Sequence, residues 1–82
     1  MPYIKKENRE VFENVVLPGA ATAGELNYFI TKVCQHYITD HGLSYNTLNE
    51  IIGALESCKL EFYRRLVSKY EDTKIEENGD VY

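Results

Sequence analysis

Apolar positions along this chain recur mainly every three or four residues, the spacing that places side chains on one face of an α-helix. From Lys6 to Val16 the apolar residues Val11, Phe12, Val15 and Val16 follow that rule among polar neighbours, which predicts a short N-terminal helix. Pro18 disfavours a helical Leu17 and Gly19 frees the backbone for a turn, so the helix stops there.

Thr22 followed three residues later by Glu25 is a capping-box pattern and predicts the start of a second helix. Leu26, Phe29, Ile30, Val33, Tyr37 and Ile38 then form one stripe, with Asn27, Lys32 and Gln35 facing away. This helix is expected to end near Asp40, because Gly42 readily takes the left-handed cap conformation. Ser44 or Thr47 can cap a third and longer helix, and Thr47 with Glu50 repeats the box spacing. Leu48, Ile51, Ile52, Leu55, Cys58, Phe62, Leu66 and Tyr70 give its stripe, which predicts helix to about Ser68; Leu60, Tyr63 and Val67 widen the stripe beyond one face. Gly53 inside it costs roughly 1 kcal/mol against Ala, which leaves two readings open: a close approach by another helix, or simple tolerance. From Glu71 onward the periodicity fades, and the terminus is expected either to fray or to fold back on the body or on a neighbouring subunit.

The pattern predicts an all-α fold: one domain over residues 1–82, a short N-terminal helix plus a two-helix hairpin, with 71–82 as an acidic C-terminal tail. A chain of 82 residues buries only about 60% of the surface its unfolded form exposes. Assembly as a homo-oligomer is therefore expected, since it supplies the missing burial.

Charge changes the picture further. The net charge is −4, and Glu71 to Tyr82 carries five acids against Lys74 alone, so residues 1–70 sum to zero. A neutral body with an acidic tail argues against general nucleic-acid binding. No apolar run reaches the ~20 residues of a membrane span, and Met1 to Lys6 leads into polar residues rather than a signal-peptide core. The expected location is cytoplasmic.

Candidate chemistry is sparse. His36 and His41 point to different sides of a helix, and Cys34 and Cys58 sit in no metal-ligand spacing. Both thiols read as reduced and packed as small apolar groups. The five glycines are isolated, so no phosphate-cradling loop is present. Paired carboxylates such as Glu56 and Glu61 match no acid–base signature and read as a solvated face. No catalytic set, no metal site and no cofactor is expected.

One cluster stands out. Lys59, Tyr63, Arg64 and Arg65, with Lys69 beyond, combine guanidinium groups that grip phosphate with a ring that stacks on a base. Glu56, Glu61 and Glu71 lie within reach, so a salt-bridged surface is the plainer reading and a phosphate anchor the sharper one. Seven Tyr and no Trp favour partly wet interfaces: Tyr28, Tyr37, Tyr45, Tyr63 and Tyr70 are candidates to line one such surface, with Tyr28 and Tyr70 beside Tyr63 at the ligand site, and core packing with the hydroxyl at the rim explains most of them equally well.

The runs PYIKKENRE, GELNYFIT, GLSYNTLNEIIGALESCKLEFYRR and YEDTKIEENGDVY resemble a group of short uncharacterised proteins of phages, prophages and bacteria. A looser likeness, in size and helical build, is to the small oligomeric sponge proteins with which phages sequester nucleotide signals of bacterial immunity. That likeness implies a non-enzymatic protein holding a small phosphorylated ligand, such as a cyclic nucleotide, between subunits in the cytoplasm of a bacterial host. A module that docks a host or phage protein is the alternative expectation.

Overall fold

A computed structural model describes residues 4–82; residues 1–3, the first part of the polar N-terminus read above, lie outside the described residues. The chain divides into two units, Met1–His36 and Tyr37–Tyr82, each taken here by itself. All regular structure among the described residues is helical, and none is strand.

The first unit opens with a 3-10 turn at Lys6–Asn8 and a single α-turn, α1, at Glu10–Glu13. Arg9 donates from Nε and Nη2 to the Ile4 carbonyl at 3.3 and 3.2 Å, which ties this turn to the chain before it. The helix expected to Val16 ends three residues early. Val15 and Val16 are β-branched, Pro18 holds Leu17 extended, and Val16 is 94% exposed, so no burial offsets the cost of continuing.

Helix α2 spans Ala23–His41 and begins as predicted. The Glu25 N–H donates to Thr22 Oγ1 at 3.1 Å, while the Glu25 carboxylate accepts from the Ala21 N–H at 3.3 Å, one residue before the partner the box pattern implies. The helix closes at Gly42, whose φ of 86° needs no Cβ-bearing residue and whose N–H reaches the Ile38 carbonyl at 2.7 Å.

Helix α3 spans Tyr45–Phe62, and its cap is Ser44 rather than Thr47. Ser44 Oγ accepts from the Thr47 N–H at 3.1 Å and donates to Thr47 Oγ1 at 3.0 Å. Thr47, thus clamped, is the one buried residue among those described, at 4% exposure. Glu50 plays no box role. Its carboxylate accepts instead from the Tyr37 hydroxyl at 3.1 Å, across the turn that joins α2 to α3.

Helix does not stop near Ser68. Phe62 passes into a π-turn at Tyr63–Val67, in which the Ser68 N–H bonds the Tyr63 carbonyl, and α4 continues from Ser68 to Asn78. Gly79, with φ 85°, ends it. Of the terminal segment that periodicity left open, residues 71–78 are therefore helix and residues 79–82 carry no regular structure. The helix holds by local polar contacts: Lys74 to Glu77 at 3.1 Å, Thr73 Oγ1 to the Lys69 carbonyl at 3.2 Å, and Lys74 Nζ at 5.4 Å from the centre of the Tyr70 ring.

No hydrophobic side chain among the described residues is buried. On α2, Leu26 and Val33 stay more than half exposed; on the helix from Tyr45 to Asn78, so do Leu60, Phe62, Leu66 and Tyr70. Burying one such side chain yields ~1.5–3 kcal/mol, and isolated helices without it are marginal in water.

Candidate functional site

The sequence candidates fall into two groups. Tyr28 belongs to the first unit, where Lys32 Nζ lies 5.2 Å from its ring centre and where it lines a shallow apolar depression with Pro18, Leu26 and Phe29. Lys59, Tyr63, Arg64, Arg65 and Tyr70 belong to the second, along the end of α3, the π-turn and the start of α4.

The π-turn is the feature that organises this second group. Along the third stripe, Cys58, Phe62, Leu66 and Tyr70 are spaced by four each time. In a regular helix of 3.6 residues per turn, repeated fours drift around the axis, the pattern known from coiled coils as a stutter. A turn closed by an i to i+5 bond holds more residues per revolution and takes up that drift locally. The stripe spacing thus carried a signal for the π-turn that a simple amphipathic reading passes over.

Just before the turn, near the end of α3, Glu61 holds both guanidiniums. Arg64 Nη2 donates to Oε2 at 2.6 Å and Arg65 Nε to Oε1 at 3.0 Å, so each carboxylate oxygen serves one arginine. The Glu61 carboxyl lies at about 2, well below its ordinary value; the hydrogen bond from Arg64 is the largest of the causes, and the Arg64 charge and the hydrogen bond from Arg65 add to it. Both arginines keep their remaining N–H groups toward solvent, at 66% and 60% side-chain exposure. Lys59 pairs with Glu56 at 3.3 Å. Three bases against two acids leave this patch with one surplus positive charge.

The remaining polar candidates have local roles. His41 stacks on Tyr37, ring centres 3.9 Å apart, with Nδ1 3.0 Å from the Tyr37 carbonyl. Tyr37 itself resists ionisation: burial of its hydroxyl, then the hydrogen bond to Glu50 and that residue's charge, raise its pKa above the ordinary value. Cys34 is half-buried; Cys58, expected to be packed, is exposed on the stripe. Both thiols are free. Among the described residues no group of three or more His, Cys, Asp or Glu is placed to hold a metal ion, and no helix is long and apolar enough to cross a membrane.

A family model described as "Domain of unknown function (DUF6899)" matches residues 1–81, all but the last residue of the chain. No curated protein and no solved structure matches it.

Proposed function

We infer that this chain, which belongs to the DUF6899 family, is a non-enzymatic binding protein whose working form is a homo-oligomer. The supporting observation is the absence of any buried hydrophobic side chain among the described residues. Ordering each residue costs ~1–2 kcal/mol of backbone entropy, and helical domains offset that cost by burying their apolar faces. Here those faces are formed but open, and association of chains covers them.

A small phosphorylated ligand held at Lys59, Tyr63, Arg64 and Arg65 is the ligand reading we propose, set against the salt bridges that all three bases make with Glu56 and Glu61. The π-turn that carries three of these residues supports it, because such turns are rare and concentrate at functional sites. Sequestration of a nucleotide signal, by likeness to small helical sponge proteins, is the role this ligand class suggests. Docking of a host or phage protein on the same apolar faces is the competing role.

A ligand screen by thermal shift, with mass analysis of small molecules released from the purified protein, tests the ligand reading. Stabilisation by a phosphorylated compound recovered intact supports it. A turned-over compound overturns the non-enzymatic reading, and an unresponsive protein that captures another protein favours docking.

A further inference from the structure

We propose that the helix from Tyr45 to Asn78 pairs antiparallel with the same helix of a second copy, crossing near residue 68 and held in register by opposite charge. The proposal rests on the oligomeric reading above and says which surface, which partner and which direction.

Three observations carry it. The first is the apolar seam: Phe62, Leu66 and Tyr70 are 58%, 56% and 65% exposed, and the π-turn keeps their four-residue spacing from drifting off one face. The second is a segregation of charge along one continuous helix. Residues 59–69 hold four bases and one acid, net +3, whereas residues 71–78 hold four acids and one base, net −3. The third is the end of α4, whose last turn carries Glu76 and Glu77 and no base. Acids there oppose the negative end of the helix dipole, an arrangement that a basic neighbour relieves.

A second copy running in the same direction would set Arg65 against Arg65 and Glu71 against Glu71 beside the seam, which is repulsive at both places. One running the opposite way and crossing near residue 68 sets Lys59 opposite Glu77 and Arg65 opposite Glu71 beside the seam, each twice by symmetry, with Leu66 against Tyr70 and Phe62 against the Lys74 stem. The overlap from residue 58 to 78 is about 30 Å long at 1.5 Å per residue. Intrachain pairing of Lys59 to Glu56 and of Arg65 to Glu61 does not remove this complementarity, because both basic side chains stay exposed, at 69% and 60%.

Two experiments on the full chain test the direction. With Cys34→Ala in place, adding Asn78→Cys should give on mild oxidation an interchain bond between Cys58 and the new thiol, identified by peptide mass mapping. The chain with Cys34→Ala alone should give no such bond. A Cys58 to Cys58 bond in that chain, or the lack of a bond to position 78, overturns the proposal. Independently, Lys59→Glu with Arg65→Glu should weaken association about tenfold, and adding Glu71→Lys with Glu77→Lys to the same chain should restore it. Circular dichroism confirms that helix is kept in each variant. A multimeric protein in which the fourfold variant stays weak refutes the antiparallel pairing alone, while a monomeric wild type refutes the oligomeric reading beneath it.

Discussion

The Tyr37 hydroxyl donates to the Glu50 carboxylate at 3.1 Å and so ties the last turn of α2 to the second turn of α3. Thirteen residues separate the pair, whereas the bond from Arg9 to the Ile4 carbonyl spans five and that from Arg64 to Glu61 spans three. Tyr37→Phe removes the bond while keeping the ring stacked on His41. We expect a fall of a few degrees in Tm. The phenol's raised pKa adds a pH signature: stability from this bond is full below the ordinary value of 10.0 and is lost as pH rises through the higher folded value. Melting curves from pH 8 to 11 should converge for wild type and variant at the alkaline end. Equal melting at pH 8 would refute the role of the bond.

Ser44 supplies the cap that starts α3, and a serine cap replaced by Ala typically costs about 1 kcal/mol. Ser44→Ala should lose about that much, with Ser44→Asp recovering most of it because Asp also caps. Thr47→Ala should be destabilising too, since Thr47 is buried and bonded to Ser44. Denaturant titration checks all three.

Much of this fold was legible in the residues. Thr22 with Glu25, Gly42 and Ser44 each marked a helix boundary by a mechanism that depends only on near neighbours, and each acts at or within one residue of the place it marked. Two elements resisted reading. The early end of α1 depends on the lack of anything for Val16 to pack against, which no local pattern reveals. Helix α4 carries few apolar residues, so periodicity is silent where Lys74, Glu77 and Thr73 supply the order. At the candidate site the basic residues were visible, but Glu61 as their common partner was one of three acids within reach, and only geometry selects it.

Glu61 gives an acid-side prediction. Its carboxyl is lowered from 4.5 to about 2, so its contribution to stability is present above 4.5 and is lost as pH falls from there toward the folded value. Wild type should therefore lose Tm more steeply than Glu61→Gln between pH 4.5 and 2.5. The gap should be small, because exposed ion pairs are screened by water and salt. Parallel curves for the two proteins contradict the assignment.

Gly53 discriminates among interfaces. Among the described residues, a methyl group built there meets nothing within 4 Å beyond its own stretch of helix, and position 53 lies outside the stretch that pairs around residue 68. Gly53→Ala should thus stabilise the protein by roughly 0.5–1 kcal/mol through helix propensity alone. A loss of stability or of association would mean that another helix packs against this glycine.

Arg64→Ala and Arg65→Ala should each weaken binding of a phosphorylated ligand about tenfold to a hundredfold, the effect of losing one charged hydrogen bond. Melting should change little, because the arginine that remains still pairs with Glu61. Calorimetry beside melting curves reads both quantities. Unchanged affinity in both variants places the ligand elsewhere, and collapse of both makes the pair structural.

The central claim is that open apolar faces on formed helices are covered by further copies of the chain. A charge at Phe62 that repels the Lys74 set opposite it, as in Phe62→Lys, should lower both the association state and Tm, since an unpaired charge in a buried contact is costly. The most direct measurement is the mass of the wild-type protein in solution, by light scattering coupled to gel filtration at micromolar concentration. A mass of at least twice the 9.5 kDa chain is predicted; a well-folded, helical species at 9.5 kDa would contradict the account.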